Sequence, residues 1–288
     1  MLKKRVIATL IVKNNIVVQS INFNKYLPIG KPRIAIEFLN QWGVDEIIYL
    51  DIDATRHGHE PNFDLIKNIA EKCFLPLTIG GGIKNIDHIK KLMKYGADKI
   101  SLNSILLSDI EFVKQTSSIF GSQCIVASVD VIKVGGNYEV FDYLNSKSNK
   151  VSIVDFVRQL EDSGIGEIFI NSIDRDGTYK GFDMDLISKI DSISNVPVII
   201  CGGAKTPQDF QEVFENSNVS GAAAGNYFHF YEHSVTLTKS FLNRKLPIRL
   251  ETNFDYHESD LSNDFRILKK EDIFLENMLF HKIENENI

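Results

Sequence analysis

Short apolar runs alternate with longer amphipathic segments along most of this chain. The runs are apolar at nearly every position, a pattern typical of parallel strands that are buried on both faces. The segments between them repeat apolar residues at helical spacing, and several are followed by a glycine, as expected just beyond a helix end. The predicted strands are Arg5–Val12, Glu46–Asp51, Pro76–Ile79, Asp98–Asn103, Cys124–Asp130, Glu167–Ser172, Pro197–Cys201 and Ser220–Ala224. The predicted helices are Pro32–Trp42, Asn62–Lys72, Ile86–Tyr95, Ile110–Ser118, Ile153–Ser163, Met184–Ser192, Pro207–Asn216 and His233–Asn243.

Eight alternating strand and helix units predict an α/β fold, a closed (βα)8 TIM barrel over residues 1–250. A doubly wound open sheet is the alternative that uses the same units. An internal repeat favours the closed barrel, because equivalent residues recur at one offset, as expected for two half-barrels. The pairs that lie 121 residues apart are Gly82 with Gly203, Asp53 with Asp174, and Asn103 with Ala224.

Two connections and the C-terminal end exceed a minimal barrel. Residues 14–31 and 131–150 follow the first and fifth predicted strands and are interpreted as hairpins at the same end of the barrel. The first is either a mobile flap over the mouth or a static hairpin. Residues 251–288 are rich in charge and asparagine, with one amphipathic helix predicted near 271–283. This extension is expected either to cap the barrel or to be partly disordered.

Composition narrows the class of protein. The 288 residues are 43% hydrophobic and 24% charged, as in an ordinary globular protein, and carry a net charge of −6. That charge offers no basic field for nucleic acid, and no apolar run reaches the length of a membrane span, so neither partner is expected. The three cysteines are far apart and lie in or beside apolar runs: Cys73, Cys124 and Cys201. They are interpreted as core residues of a cytoplasmic protein.

Glycine-rich turns follow the third and seventh predicted strands, within Leu77–Asn85 and Pro197–Lys205. Glycine lets backbone N–H groups approach an anion closely, and the N-terminus of the following helix adds partial positive charge. Each half-barrel is therefore predicted to hold a phosphate at its mouth, on a ligand with an anion at each end. The predicted binding residues are Gly81, Gly82, Asn103 and Ser104 in the first half and Asp176, Gly177, Gly202, Gly203, Ala224 and Gly225 in the second.

Polar residues at the C-terminal strand ends of such a barrel are candidates for catalysis. Asp130 ends the fifth strand, where a partly buried carboxylate is suited to act as a general acid or base. The alternative is that Asp130 only anchors the following loop. Asp176 is the second catalytic candidate, although Asp176-Gly177 is also a common turn pair. His57 and His59 have no third ligand in view, so no metal is predicted, and no cofactor either.

Four charged residues lie at strand starts, at the opposite end of the predicted barrel. Arg5, Glu46, Lys99 and Glu167 begin the first, second, fourth and sixth strands, so they share the N-terminal mouth. One interpretation is an ordinary salt-bridge cluster that compensates charge in a narrow space. The other is a gate across the barrel axis. Composition does not decide between them.

From Arg5 to about Arg249 the chain resembles a known family, the cyclase subunit HisF of imidazole glycerol phosphate synthase. The motifs that carry the resemblance are Leu50–Ala54, Thr78–Ile83, Gly96–Ser101, Phe120–Cys124 and Asp174–Thr178. The resemblance implies a (βα)8 barrel that receives ammonia from a bound glutaminase, HisH, and passes it along the axis to a bis-phosphorylated substrate. It also implies that the four charged residues at the N-terminal mouth form the family's ammonia gate and that Asp98 lies at the glutaminase interface.

The chain departs from this family mainly at the other mouth. The family has a catalytic Asp at the end of the first strand, and Ile11 occupies that position here. An aliphatic side chain neither gives nor takes a proton, so cyclase activity is expected to be impaired. Gln19 replaces a lysine of the family, and Asn171 replaces a threonine at the mouth. Ser104 and Gly225 are milder changes at phosphate-proximal positions.

This pattern resembles a divergent branch of the family that is associated with sugar amidation in surface-polysaccharide synthesis. The first hypothesis is therefore an ammonia-conducting subunit of a glutamine amidotransferase complex, with a HisH-like glutaminase and a separate sugar amidotransferase as partners. The second is a working cyclase, a lyase of histidine biosynthesis, in which Asp130 transfers protons with help from Asp176 or Asp51. The third is a non-enzymatic scaffold that binds a regulatory ligand. The expected ligand is a bis-phosphorylated compound or a nucleotide sugar.

Overall fold

A computed structural model describes residues 3–231, 233–249, 262–266, 268–269 and 271–273. Its strands are β1 (Arg5–Lys13), β2 (Ile16–Ile21), β3 (Lys25–Gly30), β4 (Glu46–Asp51), β5 (Leu77–Gly80), β6 (Lys99–Leu102), β7 (Ile125–Val134), β8 (Asn137–Asp142), β9 (Lys147–Ser152), β10 (Glu167–Ser172), β11 (Val198–Cys201) and β12 (Gly221–Ala224). Its helices are α1 (Pro32–Trp42), α2 (Phe63–Ala70), α3 (Ile86–Lys94), α4 (Ser104–Ser108), α5 (Ile110–Phe120), α6 (Ile153–Asp162), α7 (Met184–Asp191), α8 (Pro207–Asn216), α9 (Asn226–Phe230) and α10 (Ser234–Asn243).

Eight of the strands close into a parallel barrel. Going around it, β1 pairs with β4, followed by β5, β6, β7, β10, β11 and β12. The ring closes because β12 also pairs in parallel with β1, where Arg5 to Ala8 lie beside Gly221 to Ala224. The predicted closed (βα)8 barrel is confirmed, and the open-sheet alternative is excluded, since an open sheet has two unpaired edges.

Apolar side chains fill two separate regions of the barrel. The larger cluster lies between the strands and the surrounding helices. The smaller one fills the barrel interior and consists of Ile7, Ile48, Val126, Phe169, Ile199, Cys201 and Ala223. Ile7, Ile48 and Phe169 each lie two residues beyond a charged residue at a strand start, and side chains two apart on a strand share a face. The interior therefore changes from charged at the N-terminal mouth to apolar above it.

Two hairpins stand at the C-terminal mouth, as predicted. β2 and β3 continue from β1, and β8 and β9 continue from β7, each after a two-residue turn. The ring of Phe23, between β2 and β3, meets Phe141 of β8 edge-to-face at 6.4 Å. The hairpins are anchored in the same way, because Asp53 accepts the N–H of Asn14 at 2.9 Å and Asp174 accepts that of Lys133 at 2.7 Å. The half-barrel repeat thus extends to the loops.

The structure differs from the sequence prediction in three details. The short helices α4 and α9 follow β6 and β12 at the C-terminal mouth and were not predicted, since five residues are too few to show helical periodicity. The helix predicted near 271–283 lies almost entirely outside the described residues, and the domain boundary at residue 250 stays a prediction. Within the described ranges, no helix combines the length and the apolar character that crossing a bilayer requires.

Candidate functional site: the two mouths of the barrel

A cavity of about 580 Å³ opens at the C-terminal mouth, called the upper mouth from here on. This volume is typical of small-molecule sites. Its walls come from the ends of β1, β4, β5, β6, β7 and β10, and from both hairpins. The structure brings five of the predicted site residues together in its lining: Gly81, Gly82, Asn103, Ser104 and Asp130.

Asp130 lies on the inner face of β7, in the same register as Val126 and Ser128. Its side chain is 7% exposed, and its carboxylate accepts a hydrogen bond from Asn103 Nδ2 at 2.9 Å. Burial raises the pKa of Asp130 to about 7, and the hydrogen bond from Asn103 acts in the opposite direction. A carboxyl group with this pKa is present in both protonation states near neutral pH, which suits general acid–base chemistry.

Ile11, at the position where the family carries a catalytic Asp, lines the same cavity. Two other carboxylates in the lining are already engaged by the protein. Asp51 accepts the N–H groups of Asp53 and Ala54 at 3.0 and 3.1 Å, and burial raises its pKa. Asp53 accepts Lys13 Nζ at 3.0 Å. Ile11 thus leaves a stretch of the cavity wall without a proton-transfer group.

Asn171 and Gln19, the other changed polar positions, have different surroundings. Asn171 of β10 lines the cavity and is 6% exposed, and its Oδ1 has no hydrogen-bond partner among the described residues. Gln19 of β2 is 9% exposed, and its Nε2 donates to the hydroxyl of Tyr179 at 3.5 Å. The amide of Gln19 therefore bonds with the protein itself, while the carbonyl of Asn171 is left for a ligand that donates a hydrogen bond.

The first glycine-rich turn, after β5, has a backbone that only glycine fits. Gly81 has a φ of 111°, and a Cβ at this position would lie 2.3 Å from the carbonyl oxygen of Asp51. The N–H of Gly82 is already used, because it donates to Thr55 Oγ1 at 3.1 Å. An anion at this turn would therefore be held by the neighbouring N–H groups and by side chains.

Two cations in the lining were missed by sequence reasoning. Arg56 donates to the carbonyl oxygen of Tyr143 at 2.7 Å and stacks over its ring at 5.4 Å. Lys84 Nζ donates to the carbonyl oxygen of Gly58 at 2.7 Å. Both side chains place positive charge at the first-half end of the cavity. The repeat held one sign of this, since Arg56 is the counterpart of Gly177 at the 121-residue offset.

The predicted residues of the second half lie at the upper mouth but outside the lining of this cavity: Asp176, Gly177, Gly202, Gly203, Ala224 and Gly225. Asp176 contacts the first hairpin, since its carboxylate accepts Ser20 Oγ at 2.6 Å and the N–H of Phe23 at 3.2 Å. Burial raises its pKa. Asp176 therefore anchors a hairpin, and its predicted catalytic role stays a prediction.

The N-terminal mouth, called the lower mouth from here on, holds the four predicted charges in one ring. Arg5 donates to Glu46 at 2.7 Å and also to Glu167. Lys99 Nζ binds Glu46 at 3.0 Å and Glu167 at 2.8 Å. Glu46 is almost fully buried and accepts a further bond from Thr78 Oγ1 at 2.8 Å. Each cation thus contacts both carboxylates across the strand starts.

Asp98 lies directly before β6 at this lower mouth and is exposed. Its carboxylate accepts the N–H of Leu77 at 2.8 Å, which ties the starts of two neighbouring strands together. His57 and His59 lie with their rings 5.8 Å apart. In the ranges that the structure describes, no three His, Cys, Asp or Glu side chains are grouped as a metal site would require.

Comparison with known proteins agrees with this architecture. The family model described as histidine biosynthesis protein matches residues 5–234. A Vibrio vulnificus protein with the provisional name imidazole glycerol phosphate synthase subunit hisF2 is 44% identical over 262 residues, which cover 91% of this chain and 96% of the relative. A Natranaerobius thermophilus protein, named imidazole glycerol phosphate synthase subunit HisF, is 39% identical over 251 residues, covering 87% of this chain and 100% of the relative. The chain therefore belongs to the histidine biosynthesis protein family, among its HisF-like members.

Proposed function

We propose that this chain is the barrel subunit of a glutamine amidotransferase complex. A HisH-like glutaminase binds at the lower mouth and releases ammonia there. The ammonia crosses the ring of Arg5, Glu46, Lys99 and Glu167, follows the barrel axis and reaches a phosphorylated compound in the upper cavity. The apolar interior around Phe169 supports this route, because it admits neutral ammonia far more readily than ammonium. The complex works in the cytoplasm without a cofactor.

The observation that carries the finer proposal is the contrast between an intact ring of charge and Ile11 in the wall of the catalytic cavity. A cyclase that opens and closes bonds through a pair of proton-transfer groups loses much of its rate when one is aliphatic. We propose that the complex delivers ammonia for amidation of a sugar in surface-polysaccharide synthesis, in concert with a separate sugar amidotransferase. The resemblance to the divergent branch of the family supports this destination.

A working cyclase subunit of histidine biosynthesis is the second candidate. The pKa of about 7 at Asp130 favours it, because one carboxyl group with that pKa both accepts and returns a proton near neutral pH. On this alternative, Asp51 or Asp176 replaces the missing group.

The test is to purify the chain with its HisH-like glutaminase and supply glutamine labelled with 15N in the side-chain amide. Two quantities are measured: turnover of the histidine-pathway substrate, and the compound that receives the label when candidate nucleotide sugars and a sugar amidotransferase are added. We expect the label in the amidated sugar and a histidine-pathway rate at least about a hundredfold below that of a HisF with both acids. An ordinary histidine-pathway rate would establish the second candidate instead.

A further inference from the structure

The two halves of the upper mouth differ in what covers them. Residues 121 positions apart occupy matching places in the two halves, so they can be compared one by one. In the first half, three such residues line the open cavity: Thr55, Arg56 and Ile105. Their counterparts in the second half contact the first hairpin instead: Asp176, Gly177 and Asn226.

Ser20 of β2 is the residue that joins the hairpin to the second half. Its hydroxyl donates to the carboxylate of Asp176 at 2.6 Å. Asn226 binds both polar groups of the Ser20 backbone, since its Oδ1 accepts the N–H at 3.3 Å and its Nδ2 donates to the carbonyl oxygen at 2.7 Å. Ser20 is 3% exposed, so water competes little for these three bonds.

The hairpin backbone also lies directly against Gly177. A Cβ at this position would be 2.5 Å from the carbonyl oxygen of Ser20 and 2.9 Å from the Cα of Ile21. Surfaces in such close contact leave no room for a phosphate between them. The carboxylate of Asp176 beside them would, when ionised, also repel an anion. In the first half, by contrast, the side chain of Arg56 occupies the matching place and adds positive charge.

We infer that Asn226 and Asp176 hold Ser20 in a clamp that keeps the hairpin over the second glycine-rich turn, so that the chain binds its ligand through one phosphate group only, at the first turn. The ligand class is then a compound with a single anionic end and an uncharged far end, rather than one with a phosphate at each end. The inference rests on the proposed function only in taking the upper cavity as a site for a phosphorylated compound.

The test is a titration of the full chain with inorganic phosphate, followed by the backbone 1H–15N signals of Gly81, Gly202 and Gly203. We expect the signal of Gly81 to shift and those of the other two to stay. In Asn226→Ala, which removes both bonds to the Ser20 backbone, all three should shift, with the second site binding within about tenfold of the first. Ser20→Ala removes only the hydroxyl bond and should open the second site less.

Ile105→Ala is the matched control, because it shortens the counterpart of Asn226 in the first half and leaves the clamp intact. It should not release the signals of Gly202 and Gly203. Shifts of all three glycine signals in the unchanged chain would overturn the inference, as would a second site that stays closed in Asn226→Ala with an otherwise unaltered spectrum. If no glycine signal responds, the inference falls together with the phosphate part of the proposed function, whereas ammonia delivery is judged separately by the 15N label.

Discussion

The lower and upper mouths of the barrel are formed by the same eight strands, yet their charges are organised in opposite ways. At the lower mouth, Arg5 and Lys99 each contact both carboxylates of the ring, so every buried charge is compensated. At the upper mouth, Asp130 is buried with the amide of Asn103 as its partner and has a strongly raised pKa. Compensated charge keeps a fixed shape, while an uncompensated acid is available for chemistry.

The difference also shows how a family fold is changed without loss of its architecture. The charged ring depends on four residues that must fit one another, so altering any one of them leaves buried charge unpaired. Ile11, in contrast, replaces a carboxylate in a cavity wall, where an aliphatic side chain packs without needing a partner. The chemistry of the upper mouth is therefore the easier of the two to lose, and substitutions at each mouth test this comparison.

The largest expected effect is a gain of cyclase activity in Ile11→Asp. A carboxylate at this position faces the cavity that Asp130 lines, and a positioned proton-transfer group commonly contributes about 10²–10⁴ in rate. We expect turnover of the histidine-pathway substrate, with the glutaminase bound, to rise by that order. Ile11→Asn is the matched control, since it has the same shape but no titratable group, and it should gain nothing. Equal rates in all three proteins would mean that position 11 is not what limits the chemistry.

At the lower mouth, Glu46→Gln should cost about 3–5 kcal/mol of unfolding free energy, because it leaves Arg5 and Lys99 without one of their two buried carboxylates. Denaturant unfolding measures this loss. The surface pair of Glu111 and Lys114, at 3.3 Å, provides the control, and Glu111→Gln should cost below about 0.5 kcal/mol. A loss as small as the control's would contradict the view that this ring is a tightly coupled unit.

Asp130→Asn should change the pH dependence of stability. The carboxyl group has a pKa near 3.8 when unfolded and about 7 when folded. Between these values the unfolded chain has already released its proton and the folded chain has not, so stability falls as pH rises from about 4 to 7. The amide variant lacks this decline and should be more stable than the unchanged chain by on the order of 2–4 kcal/mol at pH 8.

Thermal unfolding at pH 4 and pH 8 measures the effect, with Asp185→Asn as a control, because Asp185 is an exposed carboxylate. Parallel stability curves for Asp130→Asn and the unchanged chain would show that burial does not raise the pKa of Asp130 in this way.

The barrel itself was predictable from the sequence because burial on both faces leaves a local pattern. Strands such as Glu46–Asp51 and Glu167–Ser172 are apolar throughout after their first residue, and their bounds agree with the structure. The ring of charge was predictable as well, since strand starts in a closed barrel meet at one mouth. What joined those residues was periodicity and chain order, both of which a single sequence records.

The arrangement of the upper mouth was less predictable, because it depends on contacts between distant segments. The bonds between Ser20 and Asn226 join residues 206 positions apart, and neither residue belongs to a motif. Arg56 lies in a loop whose direction no periodicity defines, and it contacts Tyr143 of the opposite hairpin. The symmetry of the repeat predicted two equal anion sites, whereas the hairpin makes the two halves unequal.

The smallest expected effect concerns Asp98, which separates the role of the lower mouth in the fold from its role in binding. In Asp98→Asn the amide oxygen still accepts the N–H of Leu77, so unfolding free energy should change by less than about 0.5 kcal/mol. If this exposed charge contacts the glutaminase, its loss should weaken binding about tenfold or less and reduce the dependence of association on salt. Asp98→Ala, which also removes the hydrogen bond, should add about 1 kcal/mol of destabilisation. Binding that is unchanged in both variants, measured by calorimetry with the purified glutaminase, would assign Asp98 to the fold alone and leave the ring as the site where the two subunits communicate.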